Sequence, residues 1–155
     1  MTRLSSPARV LLLRETLLSI AIGIVISLVF YVGIFGLWPE APLHGRHGLA
    51  IDGLPQTFML GLMGALVPSL MLRAKLRANL PSFAGDRVWI VLARAVGFGA
   101  LATVLIGGPS FLVLDAQSSP SVPFALALAA KLLLAVLVGG MVTPLSLFSM
   151  LRAVP

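Results

Sequence analysis

Residues 17–38, LLSIAIGIVISLVFYVGIFGLW, decide how the rest of the chain is read: they run for 22 residues without a charge. A hydrocarbon layer about 30 Å thick needs roughly 20 residues of helix to cross it, because each residue rises about 1.5 Å. This run meets that length and exceeds the apolar segment of a secretory signal, about 7 to 15 residues. Arg3, Arg9 and Arg14 precede it, and it ends in Trp38-Pro39-Glu40 rather than a small-residue cleavage site. It therefore reads as a retained helix.

Working outward, residues 53–72, 95–114 and 132–151 pass the same test with 20 residues each. Of the 155 residues 59% are apolar and 10% charged, against about 25% charged in a soluble domain; the mean hydropathy is +1.07. These values exclude a water-soluble enzyme, a disordered tail and a free nucleic-acid-binding module. The net charge of +6 and isoelectric point near 11.5 would point to nucleic acid in a soluble chain. Here the basic residues bracket apolar runs, which is how membrane proteins distribute them, and attraction to anionic headgroups follows. The absence of cysteine excludes disulfides, thiolate metal sites and S-palmitoylation.

The expected fold is an all-α bundle of four transmembrane helices forming one domain over residues 1–155, with a basic loop at 73–87. The amino-terminal arginines and Arg73, Lys75, Arg77 and Arg87 assign those segments to the cytoplasm. The connection holding Arg46, and the one from 115 to 123 with no basic residue, then face outward. Both termini become cytoplasmic. Size and composition suggest a bacterial cytoplasmic membrane, with the lipid bilayer as the first partner.

Helices in lipid associate through small residues and interhelical hydrogen bonds. Ser19, Gly23 and Ser27 form one such ridge, continued by Tyr31. Gly61, Gly64, Ala65 and Pro68 form a second, Ala93, Gly97 and Ala100 a third, and Ala135, Gly139 and Thr143 a fourth. Span two also resembles span four: Gly64, Pro68 and Met71-Leu72-Arg73-Ala74 match Gly140, Pro144 and Met150-Leu151-Arg152-Ala153. The prolines and the arginines disagree in register, which leaves a duplication open.

Candidate chemistry is sparse. Pro68, Pro144 and the interruption Gly107-Gly108-Pro109 are helix breaks, either packed kinks or places where carbonyls meet a ligand. Arg94 lies at the inner edge of span three, where it snorkels or, if the helix stops early, pairs with Glu15. Lys131 either snorkels outward or enters the core, with Asp52 and Asp115 as the acids able to neutralise it. His44 and His47 are three residues apart, but zinc needs three or four ligands and only Glu40 and Asp52 are near. They read as an exposed loop, with no metal site.

No nucleotide-binding loop, cysteine or buried acid pair marks an enzyme, so no catalytic residue, cofactor or metal is expected. Two functions remain. One is a non-enzymatic structural or accessory subunit associating with itself or a larger membrane complex. The other is a small oligomeric transporter or channel using Lys131, Asp52, Asp115 and Arg94. The first leads, because no deep polar cluster is visible in the sequence.

Overall fold

Long apolar runs carry few side chains that compete for backbone hydrogen bonds, so each run satisfies its own N–H and C=O groups by winding into a helix. The computed structural model describes residues 6–45, 48–79 and 88–151. In chain order it contains α1 (Ser6–Phe35), β1 (Glu40–Pro42), α2 (Leu49–Asn79), α3 (Val88–Ala102), a π-helical turn (Thr103–Gly107), α4 (Gly108–Asp115), β2 (Ser121–Pro123) and α5 (Phe124–Leu151). Arg3, Arg46, His47, Arg87, Arg152 and Ala153 lie outside the described residues.

Among the described residues four helical segments are long and apolar enough to cross a membrane: Leu13–Phe35, Leu49–Ala74, Val88–Asp115 and Phe124–Ser149. α1 ends where Gly36 adopts a φ of +65°, a left-handed turn that glycine reaches without strain, while its N–H still bonds the Val32 carbonyl. Three expected boundaries shift. α2 begins at Leu49 rather than 53, the third span begins at Val88 rather than 95, and α5 begins at Phe124 rather than 132. α2 also runs on to Asn79, so Arg73 is a buried helical residue rather than the start of a loop.

The Gly107-Gly108-Pro109 interruption does not end its helix. Proline at 109 cannot donate to the carbonyl four residues back, and its ring crowds that turn. The helix answers by widening over Thr103–Gly107, where the Gly108 N–H reaches the Thr103 carbonyl, and then resumes as α4. Pro68 and Pro144 likewise sit inside unbroken helices.

One element has no trace in the hydrophobic pattern. The two connections at one end of the bundle pair as a short antiparallel sheet, with Glu40 opposite Pro123, Ala41 opposite Val122 and Pro42 opposite Ser121. The Leu43 N–H to the Pro120 carbonyl and the Phe124 N–H to the Pro39 carbonyl extend the join. Below it Tyr31, Phe35, Ala41, Leu43, Leu49 and Ala127 form one apolar cluster.

The packing has an internal two-fold pattern. α2 packs on α3 as α5 packs on α1, α2 and α5 meet along the middle, and helices of the same hairpin touch little. Exchanging the two hairpins leaves this pattern unchanged. The sheet obeys it too, since antiparallel strands are what an axis through the Ala41–Val122 pair produces. Across the centre, Asp52 meets Lys131 and Gly64 meets Thr143, each pair 79 residues apart. The same spacing aligns Met71-Leu72-Arg73-Ala74 with Met150-Leu151-Arg152-Ala153 and Gly61 with Gly140. The register conflict came from matching Pro68 with Pro144, which are not equivalent positions.

Three of the four expected ridges face inward: Gly23, Ser27 and Tyr31; Gly61, Gly64, Ala65 and Pro68; Ala135, Gly139 and Thr143 are buried. The third does not. Ala93, Gly97 and Ala100 are exposed, and α3 buries Val91, Ala95, Gly99 and Ala102 instead. Gly99 is needed there because a Cβ would come within 3.0 Å of the Phe58 carbonyl oxygen, whereas one on Gly97 would meet nothing within 4 Å.

Candidate functional site

Lys131 belongs to a row of every fourth residue on α5, continued by Ala135, Gly139 and Thr143, and residues so spaced share a helix face. On α2 Asp52, Gln56, Leu60 and Gly64 form the matching row; on α1 Ser19, Gly23, Ser27, Tyr31 and Phe35 do so. These rows meet at the centre of the bundle. They bring the two charges together at the sheet end.

There the Lys131 ammonium donates to the Asp52 carboxylate, and the two side chains are 4% and 16% exposed. The same ammonium lies 5.0 Å from the Phe35 ring centre and 5.7 Å from that of Tyr31, distances at which an aromatic face attracts a cation. Tyr31 is held by Phe35 and Phe124 at 5.2 and 5.3 Å between ring centres. One turn deeper the Gln56 amide donates to Ser27 Oγ at 2.9 Å. Two buried polar atoms here have no partner, the Tyr31 hydroxyl and Gln56 Oε1.

Two cavities flank this cluster. One of about 350 Å³ lies between α2, α4 and α5, and Lys131 and Gln56 reach its wall. A smaller one of about 90 Å³ lies between α1 and α2, with Asp52, Gln56 and Ser27 on its wall.

Further along the same rows, buried hydroxyls make the contacts between helices. The Thr143 hydroxyl donates to the Gly64 carbonyl at 3.0 Å and lies 2.9 Å from Ser19 Oγ. Ser69 and Ser146 are 3.0 Å apart, and Ser146 also reaches the Ala65 carbonyl. The Gly64 contact has a local cause: Pro68 has no N–H to give the carbonyl four residues before it. Thr143, from the other hairpin, supplies the missing donor. At Pro68, therefore, the freed carbonyl faces protein.

The remaining candidates lie elsewhere in the bundle. Asp115 is exposed at the end of α4 and does not join Lys131; its backbone carbonyl lies 3.2 Å from His44 Nε2. Glu15 is buried and lines a cavity with Ser19, Gly64 and Gly139. Arg94 is exposed and borders a different small cavity with Ser69 and Ser146. Among the described residues no group of three or more His, Cys, Asp or Glu side chains is placed to hold a metal ion.

Sequence reasoning missed the Tyr31 and Phe35 rings beside the ammonium and the Gln56–Ser27 contact one turn deeper. The signal was available in the four-residue rows, since Asp52 leads to Gln56 and Tyr31 follows Ser27. No family model, curated protein or solved structure matches the chain.

Proposed function

We propose that this is an integral membrane protein of the bacterial cytoplasmic membrane, crossing it four times with both termini in the cytoplasm, and that it acts as a non-enzymatic structural or accessory subunit. Large apolar side chains such as Val25, Val29, Val104, Leu105, Leu112 and Met141 are exposed around the perimeter, an arrangement that water would penalise and lipid accepts. The basic ends of α1 and α2 lie opposite the sheet, so that end is cytoplasmic by the distribution of Arg and Lys.

The observation that carries the accessory reading is the outward face of α3. Ala93, Gly97 and Ala100 leave a smooth ridge that the bundle does not use, and small residues in lipid allow another helix to approach closely. Most of the polar side chains inside are meanwhile spent on contacts between α1, α2 and α5. Native-lipid mass measurement with cross-linking is the test. Association with itself or a larger complex, lost in Gly97→Leu, supports the reading; a wild-type chain that travels alone refutes it.

A second reading, a small oligomeric transporter, is favoured by the Asp52–Lys131 pair, two buried charges at the contact between the two hairpins. Reconstituted vesicles that show solute flux dependent on Lys131 would decide for it.

A further inference from the structure

We propose that the cleft between α3 and α5, at the end of the bundle away from the sheet, holds the phosphate of an anionic phospholipid. Arg94 recognises the phosphate, and an acyl chain lies along Leu101 and Leu105. The site follows from a charge inversion between the two halves. Glu15 and Arg94 are 79 residues apart, the spacing that relates Asp52 to Lys131, so the two-fold pattern makes them equivalent. Of the four cavities described above, the two between α1 and α2 carry Glu15 and Asp52 as their charged residues. The two that α5 shares with α3 or α4 carry Arg94 and Lys131. One side of the bundle is thus acidic and the opposite side basic.

On the basic side the charge nearer the sheet is already neutralised, since the Lys131 ammonium donates to Asp52. Arg94, by contrast, is exposed. Its guanidinium carries five N–H groups, enough to serve a phosphate beside a contact within the protein. It borders a space of about 10 Å³ among Ser69, Ser146 and Ser149, the size of one water or one phosphate oxygen. Ser146 can donate to Ser69 across their 3.0 Å contact, which leaves the Ser69 hydrogen for an anion. One turn beyond Ser69 on the same face of α2, Arg73 is buried and its Nε has no partner. Basic pockets between membrane helices on the cytoplasmic side are where anionic headgroups bind. At the equivalent place between α1 and α2, Glu15 would repel the same phosphate.

What adjoins Arg94 selects a lipid rather than a soluble phosphate. Leu101 and Leu105 follow it by two and three turns along one stripe of α3, and both are exposed. An acyl chain covers them while its headgroup stays at Arg94. In this respect the site rests on the membrane reading above.

The test uses the full chain with Trp38 and Trp89, its two tryptophans, replaced by Phe, and one reporter introduced at a time. Leu101→Trp reports on the basic cleft and Ile22→Trp, 79 residues earlier, on the acidic one. In phosphatidylcholine vesicles, phosphatidylglycerol with brominated acyl chains should quench the Leu101→Trp reporter with about five-fold preference over brominated phosphatidylcholine at equal mole fraction, the scale of one basic group at an anionic headgroup. The Ile22→Trp reporter should show no such preference. Arg94→Gln should abolish it at Leu101→Trp, and Arg94→Lys should retain part of it. Equal preference at both reporters, or a preference that survives Arg94→Gln, would overturn the site. Relief of quenching by glycerol phosphate in solution would overturn the lipid as its occupant. Reporters that neither lipid quenches would mean a chain outside the bilayer and overturn the membrane reading as well.

Discussion

The two hairpins share a plan and differ in what fills it. Each runs helix, short strand, helix, and each lays its first helix on the second helix of the other. At one equivalent position the first hairpin places Asp52 and the second Lys131. The first hairpin has an uninterrupted α1, whereas the corresponding helix of the second is widened at Thr103–Gly107. The buried row of α1 contains Glu15, Ser27 and Tyr31, while α3 buries Val91, Ala95, Gly99 and Ala102. Common geometry thus sets the packing. The chemistry lies where the halves differ.

The sharpest way to break this comparison is to move the charges. Asp52→Lys or Lys131→Asp alone puts two like charges into one buried position, and removing one partner of a buried pair already costs about 3 to 5 kcal/mol. Each single variant should therefore fail to yield monodisperse protein. If the positions are equivalent, the swapped double variant should recover most of the lost yield and thermal midpoint. A swap no better than the single variants would sink the two-fold account.

Glycines test the next level. A Cβ on Gly61 would come within 2.9 Å of the Ala102 Cβ and 3.0 Å of the Gly99 Cα. Gly61→Leu should then cost about 1 to 3 kcal/mol or more through overpacking. Gly97→Leu should leave the bundle's stability unchanged and act only on association. Thermal unfolding of both variants in one detergent separates the roles, and equal losses would mean that the buried face of α3 is misassigned.

Smaller effects belong to the hydroxyl contacts. Thr143→Val removes the donor that serves the Gly64 carbonyl, and interhelical bonds of this kind average about 0.6 kcal/mol with a maximum near 1.7. The upper part of that range is expected, because Pro68 leaves the carbonyl no substitute. Ser69→Ala should cost less, since Ser146 retains the Ala65 carbonyl. Equal shifts in midpoint would remove the special role of Pro68.

Much of the fold was legible because uncharged runs of membrane-crossing length have few alternatives. Two boundary errors share one physical cause. Spans two and four were cut beside Asp52 and Lys131 because each looks like an interfacial charge alone, and only the pairing of distant hairpins makes both internal. The third ridge failed differently: α3 carries small residues on two faces, and the choice of Gly99 over Gly97 is made by Phe58 on α2. The sheet was invisible, because three-residue strands with prolines show no alternation. Of the candidate residues, the Asp52–Lys131 pairing was among the expected alternatives, while Asp115 offered an equally plausible acid until topology placed it outside.

The π-helical turn gives the smallest and most informative prediction. Pro109 creates the need for extra backbone length, but Gly107 also sits where a Cβ would come within 3.1 Å of the Thr57 hydroxyl oxygen, so packing on α2 holds the turn independently. Pro109→Ala should keep it, with a stability change below about 1 kcal/mol, because reversion to α-helix would rotate α4 by about 100° per residue removed. The natural chain has no cysteine, so single cysteines introduced at exposed Val113 and half-buried Leu114 report which face is out. Unchanged thiol reactivity in the Pro109→Ala background means that both hairpins impose the turn through packing. Exchange of the two reactivities means that proline alone distinguishes this helix from α1, and that one substitution would make the two hairpins more alike.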